Sequence, residues 1–274
     1  VTDFGIFQTA HLQMQKVLEM AMAVALTPAP ILISGEQGTG KTLLVQFILE
    51  RARFQKTLHR WGRDISQATE GDVILIDGLD ELNLYQQQEL SEKIDSLKTE
   101  GKRIRWMATA CVNPSQLVQE QRLRKDLFYR LSVIHLQIPA LRSRNEDTLI
   151  LAEFFSQVFN LMKSRSPQKL SSEAQAKLLS YDWPGNISEL ENVMERAVAL
   201  SEGGQISAAS IQFSETAANT LPSVGSTLSE MERKLILQTL QLTQQNKTRA
   251  AQILGISIRT LRNKLNEYRE AGVA

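Results

Sequence analysis

Residues 35–42 read Gly35-Glu36-Gln37-Gly38-Thr39-Gly40-Lys41-Thr42, the Gly-x4-Gly-Lys-Thr spacing of a phosphate-binding loop. Each residue type has a task there. Backbone N–H groups of a glycine-rich turn that runs into a helix N-terminus point at an anion and cradle it. Lys41 bridges β- and γ-phosphates as a point charge, and the Thr42 hydroxyl ligands Mg²⁺. The apolar strand Ile31-Leu32-Ile33 precedes the loop and an apolar helix start follows it, which is the context such a loop requires. The expected ligand is ATP or ADP with Mg²⁺, held across Gly35, Glu36, Gln37, Gly38, Thr39, Gly40, Lys41 and Thr42.

A second chemistry sits near the C-terminus, in "NKTRAAQILGISIRTLRNKLNEY", residues 246–268. This reads as a helix, a tight turn at Gly255-Ile256-Ser257, and a second helix capped by Ser257. Ala250 and Ala251 allow close helix packing, and Ile253, Leu254, Ile256 and Leu261 supply a shared core. The geometry is helix-turn-helix, with the second helix able to reach base edges and phosphates. Thr248, Arg249, Ser257, Arg259, Thr260, Arg262, Asn263 and Lys264 are the candidate DNA-contacting residues. Between positions 246 and 270, Lys247, Arg249, Arg259, Arg262, Lys264 and Arg269 face only Glu267 and Glu270, whereas the whole chain carries a net charge of only +1. Basic charge is concentrated where DNA would lie.

Several elements must position these groups. Residues 9–26 carry Leu12, Val17, Met20 and Val24 near helical spacing, and "TPAP" ends that helix before the loop strand. Strands are expected at 73–76, ending at Asp77, and at 103–110; helices are expected at 43–53 and 84–99. Alternating strands and helices predict a parallel sheet with ligands at the strand C-terminal ends, an α/β fold. From about residue 144 to 201 the pattern turns helical, with "YDWPGN" punctuating a helix that starts near 187, and this forms a lid. Residues 214–226 are small, polar and rich in breakers, a linker. Beyond it, Thr227-x-x-Glu230 forms a capping box, and Leu228, Met231, Leu235 and Leu240 form an apolar stripe.

Composition agrees with two to three folded units: 274 residues, 42% hydrophobic. No stretch approaches the ~18 apolar residues of a membrane span and no signal segment opens the chain, so the expected location is the cytoplasm, without a membrane partner. The single cysteine, Cys111, excludes an internal disulfide, and His11, His59 and His135 have no metal-ligand spacing. The chain opens on Val1 rather than Met, which leaves room for an upstream region outside it.

The combination of "GEQGTGKT", "LRKDLFYRLSVIHLQIPALRSRNEDTLIL", "WPGNISELEN" and the C-terminal hairpin resembles the bacterial enhancer-binding proteins, the NtrC-like activators of sigma-54 RNA polymerase. The match covers nearly the whole chain. It implies an α/β P-loop AAA+ parallel sheet with a helical lid subdomain, followed by a small all-α Fis-like helix-turn-helix domain. The corresponding boundaries are an α/β nucleotide-binding subdomain at 1–143, a lid at 144–213, a linker at 214–226 and a DNA-binding domain at 227–274. The resemblance further implies Asp77 as a second Mg²⁺-coordinating residue, and Arg124 and Arg130 as arginines that act on a neighbouring subunit's nucleotide. A local salt bridge is the alternative role for both arginines. Implied partners are double-stranded DNA at a palindromic site, further copies of the chain (a dimer through the C-terminal domain, a hexamer through AAA+), and RNA polymerase.

Several positions depart from the family pattern. Where the family has D-E-I-G-E-L, this chain has Asp77-Gly78-Leu79-Asp80-Glu81-Leu82, so a glycine replaces the carboxylate that polarises the attacking water. The sensor asparagine is Ala110 and the lid arginine is Ser188. Thr42 and Asp77 are only 35 positions apart, and no G-A-F-T-G-A loop lies between them. On sequence, Glu81 matches the family's own later Glu and is displaced three residues from the water-polarising position, too far to substitute. Between the two motifs lies a basic stretch, residues 51–64, with Arg51, Arg53, Lys56, Arg60 and Arg63; it is either a solvated face or a clamp for a second anionic ligand such as a cyclic dinucleotide. Two functions stay open: a DNA-binding regulator that senses nucleotide and oligomerises, or an ATP-hydrolysing sigma-54-dependent activator with Asp80 or Glu81 recruited as base.

Overall fold

The computed structural model describes residues 2–3, 7–52, 57–62, 65, 68–163, 166, 168–201 and 204–213, and, further on, 236, 239, 247–254, 256, 260, 261, 264 and 265. The chain divides into two compact units, residues 1–213 and 214–274.

The first unit runs β1 (Thr2–Asp3), β2 (Gln8–Thr9), α1 (Leu12–Ala25), β3 (Ile31–Ser34), α2 (Lys41–Arg51), β4 (Leu58–Arg60), β5 (Val73–Ile76), α3 (Leu84–Thr99), β6 (Arg105–Ala110), α4 (Pro114–Gln119), α5 (Lys125–Leu131), β7 (Ile134–Gln137), α6 (Asn145–Met162), β8 (Lys169–Leu170), α7 (Ser172–Leu179), α8 (Asn186–Leu200) and β9 (Gln205–Ile206). Five strands form a parallel sheet in the order β4-β5-β6-β3-β7. Every residue of β3, β5 and β6 is buried, which is why Ile31–Ile33 and Val73–Ile76 read as continuous apolar runs rather than alternating ones. Alternation nevertheless sorts their side chains. Ile31, Ile33, Val73, Leu75 and Met107 join Leu18, Leu44 and Phe47 of α1 and α2 on one face. Leu32, Ile74, Ile76, Trp106 and Ala108 join Leu90, Leu97 and Leu127 on the other. Each such aliphatic side chain contributes roughly 1.5–3 kcal/mol on full burial.

Helix α3 has the limits its sequence predicts, and a capping box fixes its start: the Asn83 side chain accepts from Gln86 N, and the Gln86 side chain accepts from Asn83 N. Helix α1 corrects its expected stripe. Met14, Val17, Leu18, Ala21, Val24 and Ala25 are buried, while Leu12 and Met20 are exposed, because the core also takes the small alanines of the adjacent row. Its C-terminal carbonyls are capped by Arg105, which donates to Val24 O at 2.7 Å and Ala25 O at 3.3 Å. Strands β4 and β7 are not evident in the sequence. Both are short sheet edges of mixed polarity, built on Leu58-His59-Arg60 and Ile134-His135-Leu136-Gln137. The histidine of each is tied down: His59 Nε2 lies 3.2 Å from Asp72 and His135 Nε2 lies 2.7 Å from Ser34 Oγ.

The helical part of this unit packs α6, α7 and α8 around Trp183, Leu190, Val193, Met194, Ala197 and Ile206. Trp183 is fully enclosed and satisfies its indole N–H on Leu178 O at 2.9 Å. Helix α8 begins at Asn186, one residue from the expected start. No helix among the described residues is long and apolar enough to cross a membrane.

In the second unit, α9 (Lys247–Leu254) is described. Ile236, Ala251 and Leu261 are buried together, with Ile256 and Leu265 packed against them. Ile256 N donates to Ala251 O at 3.1 Å, a bond that closes the end of α9. The expected linker at 214–226, the capping box Thr227–Glu230 and most of the 228–240 stripe lie outside the described residues.

Candidate functional site

The loop after β3 is built by its glycines. Gly38 and Gly40 have φ of +77° and +96°, left-handed values open to glycine, and Gly40 is the N-cap of α2. A β-carbon on Gly38 would stand 2.1 Å from Gly185 O, so this glycine also permits contact with the lid. Thr39 is buried and its hydroxyl donates to Glu36 O at 2.8 Å, which makes it a turn-locking residue. Lys41 Nζ lies over the loop, donating to Gly35 O at 2.8 Å, Glu36 O at 3.0 Å and Cys111 Sγ at 3.3 Å. Thr42 is exposed on the first turn of α2. A glycine cradle, an ammonium folded over it and an exposed hydroxyl are the donor set that a nucleotide phosphate with Mg²⁺ requires.

The adjacent strand ends complete the site. Asp77 follows β5; its Oδ1 accepts from Thr109 Oγ1 at 2.6 Å and its Oδ2 lies 3.6 Å from Arg60. The same Thr109 oxygen accepts from Gly78 N at 3.0 Å. Ala110 is fully buried and its carbonyl accepts from Gly35 N at 3.2 Å. Cys111 joins the two loops, since its N–H donates to Asp80 Oδ1 at 3.0 Å while its sulfur receives Lys41. The end of β6 thus couples the phosphate loop to the acidic turn.

That turn brings a carboxylate beside Gly78. Gly78 has φ +76° and ψ 58°, and Leu79–Glu81 form a 3-10 turn in which Glu81 N donates to Gly78 O at 3.0 Å. The chain therefore doubles back, and Glu81 Cδ and Oε2 lie 3.1 Å from where a β-carbon on Gly78 would stand. Three residues of sequence displacement do not carry this carboxylate away from position 78. A separation argument that assumes an extended path fails at a tight turn.

The lid closes on the loop through contacts that no sequence motif assigned. Gly38 O accepts from Ile187 N at 2.9 Å and Ser188 N at 3.3 Å, so two unsatisfied N–H groups at the start of α8 are spent on the phosphate loop. Asn186 Nδ2 donates to Gln37 O at 2.9 Å and to Glu36 Oε2 at 3.3 Å. Arg142 forks onto both oxygens of Glu36, and these bonds hold the Glu36 carboxyl below its ordinary pKa. An asparagine in "PGN" directly before a helix was the one available sequence signal for this contact. Beside the loop lies a cavity of about 350 Å³ lined by Phe7, Met14, Gly40, Leu43, Phe154 and Ile187, with Ser188 at its wall. Its volume and apolar lining are of the kind that hold small organic ligands.

Other expected residues lie elsewhere. Arg124 Nη2 pairs with Asp126 at 2.9 Å and its Nη1 donates to Gln88; Arg130 pairs with Asp95. Both arginines thus have partners within their own chain. In the basic stretch, the Arg51 guanidinium lies 3.8 Å from the Phe47 ring centre and Arg60 faces Asp77, while Arg53, Lys56 and Arg63 lie outside the described residues. Of the DNA candidates, Thr248 and Arg249 are exposed on α9, Thr260 is exposed and Lys264 is half-buried. Ser257, Arg259, Arg262 and Asn263 lie outside the described residues.

Comparison with known proteins agrees with this layout. Residues 9–141 match the family described as a Sigma-54 interaction domain, residues 142–223 the AAA+ ATPase lid domain, and residues 227–268 the bacterial regulatory protein, Fis family. Transcriptional regulatory protein FlbD of Caulobacter vibrioides is 34% identical over 95% of this chain and 70% of its own length. Alginate biosynthesis transcriptional regulatory protein AlgB of Pseudomonas putida is 35% identical, over 93% of this chain and 65% of its own. Regulatory protein AtoC of Escherichia coli is 32% identical, over 97% and 68%. The chain thus spans about two thirds of the length of these relatives. In structure it is similar to NtrX from Brucella abortus in complex with ATP, with a TM-score of 0.64 and 23% identity over 96% of this chain and 69% of that one. The Thermotoga maritima RuvB branch migration motor has a TM-score of 0.54 and 16% identity over 91% and 83%, a likeness of fold.

Proposed function

The chain belongs to the family of sigma-54 transcriptional regulators that join an AAA+ domain to a Fis-type helix-turn-helix, and from that premise we propose that it is a DNA-bound regulator which senses nucleotide and oligomerises rather than remodelling polymerase. ATP or ADP would occupy the loop, with Lys41 on the β- and γ-phosphates and Thr42 and Asp77 around Mg²⁺. The purine would lie toward the cavity beside Leu43 and Ile187.

The observation that carries the sensing role is the seat of the lid on the loop. Gly38 O holds Ile187 N and Ser188 N, and Asn186 holds Gln37 O, so phosphates entering the loop act on the backbone that anchors α8. A ligand shifts a conformational equilibrium only by its differential contact with the two states, and this shared backbone supplies one. The residues at the positions that do the chemistry support the same reading. Glycine at 78, a buried Ala110 and Ser188 stand where the family pattern has water-polarising, sensor and lid groups, and loss of a general base costs about 10²–10⁴ in rate. The sequence also lacks the G-A-F-T-G-A stretch through which the family engages sigma-54, which supports a regulator that does not remodel polymerase.

In this reading the C-terminal domain binds a palindromic site as a dimer, with Arg249, Arg259, Arg262 and Lys264 on DNA, and the AAA+ domain assembles further with Arg124 and Arg130 released across the interface. A second anionic ligand would rest on Arg53, Lys56 and Arg63. The match of residues 9–141 to the sigma-54 interaction domain favours a second reading, a working ATP-hydrolysing activator. Titration with a fluorescent ATP analogue, followed by steady-state phosphate release and a purified sigma-54 transcription assay, separates the two. Nucleotide binding with slow release and no transcription supports the first reading; promoter activation by the unmodified chain overturns it.

A further inference from the structure

We propose that Glu81 supplies the carboxylate that orients and deprotonates the water attacking the γ-phosphate, and that the slow hydrolysis of this chain runs through it. The proposal rests on the reading that the loop binds Mg-ATP.

Three features of the acidic turn lead to it. The left-handed Gly78 and the 3-10 turn fold Glu81 back, so that its carboxylate lies 3.1 Å from the point at which a side chain at position 78 would begin. The other acidic candidate is already engaged: Asp80 Oδ1 accepts from Cys111 N at 3.0 Å. Glu81 is exposed, which leaves its oxygens open to water. The turn is also held in place. Thr109 Oγ1 bonds both Asp77 and Gly78 N, and Lys41 reaches Cys111 in the same strand end. A carboxylate is thus delivered beside position 78 from a different root.

The chemistry balances with ATP and water alone. The water oxygen attacks the γ-phosphorus, the bond from that phosphorus to the β,γ-bridging oxygen breaks, and ADP leaves with the bonding pair. One water proton passes to Glu81 and from there to solvent; phosphate is the second product. Glu81 reaches the site from a different root than a glutamate at 78 would, which fits slow turnover rather than none.

The test uses the full chain and two measurements, Mg-ATP affinity and phosphate release. Glu81→Gln keeps shape and removes the base; release should fall about 10²-fold with affinity unchanged. Glu81→Asp should retain part of the rate, and Gly78→Ala, strained at φ +76° with its β-carbon crowding the carboxylate, should lower it. Equal release by the parent and Glu81→Gln overturns the proposal, as does a parent that binds Mg-ATP and releases no phosphate. A parent that binds no Mg-ATP overturns the nucleotide reading itself, and this proposal with it.

Discussion

The side-chain amide of Asn186 donates to Gln37 O at 2.9 Å while its carbonyl oxygen accepts from Leu141 N at 2.8 Å. One fully buried side chain therefore pins three segments: the phosphate loop, the chain entering the lid, and the start of α8. Its backbone has φ +52°, a region that asparagine tolerates better than most residues.

Asn186→Ala should therefore cost more than an ordinary buried substitution. It leaves Leu141 N and Gln37 O without these partners, at about 1–3 kcal/mol each. Thermal denaturation should show a clear loss of stability, and nucleotide affinity should weaken because the loop loses its brace. An Asn186→Ala protein with parental melting and affinity would remove the lid contact from the account of sensing.

The Glu36–Arg142 pair should give a pH signature. Arg142 hydrogen bonds hold the Glu36 carboxyl below its unfolded value of about 4.5, so its stabilisation is present above that value and is lost as pH falls through the lower folded one. Both side chains are substantially exposed, so the effect belongs to the ~0–1 kcal/mol range of surface pairs. Melting curves of the parent and Glu36→Gln should differ at neutral pH and converge in acid. A constant difference across pH 3–7 would be inconsistent with this.

Gly78→Glu looks like a repair when only the sequence is considered. The structure makes it a defect, because φ +76° strains a residue with a β-carbon by roughly 1–2 kcal/mol and that carbon would crowd Glu81 at 3.1 Å. The variant should melt earlier and release phosphate no faster than the parent. Faster release would show that position 78 still accepts the family's carboxylate. Sigma-54 activation should stay at zero in either case.

Binding of the C-terminal domain to DNA should weaken steeply with salt, as phosphate neutralisation releases counterions. Lys264→Ala and Arg249→Ala should each flatten the slope of log affinity against log salt by about one unit. A palindromic duplex with half-sites about 34 Å apart should bind more tightly than a single half-site. Affinity that ignores both salt and palindromy would exclude this domain as the DNA reader.

Local pattern was enough for much of the molecule. The phosphate loop, the strands expected at 31–33, 73–76 and 103–110 and found at 31–34, 73–76 and 105–110, and helix 84–99 depend on spacings of a few residues, so the sequence alone determined their places. Helix α1 shows the limit of such spacing, since the core chose Met14 and Leu18 over Leu12 and Met20. Strands β4 and β7 carry too little apolar signal at the sheet edges to declare themselves. The site's finer chemistry was decided only in three dimensions. Glu81 reaches position 78 because a left-handed glycine and a 3-10 turn reverse the chain, a geometry that residue counting does not capture. Asn186 meets Gln37 across 149 residues, Arg105 of β6 caps α1 across 81 residues, and Arg60 finds Asp77 because β4 lies beside β5. These contacts join segments distant in sequence, and their partners are set by how the layers stack rather than by any periodicity along the chain.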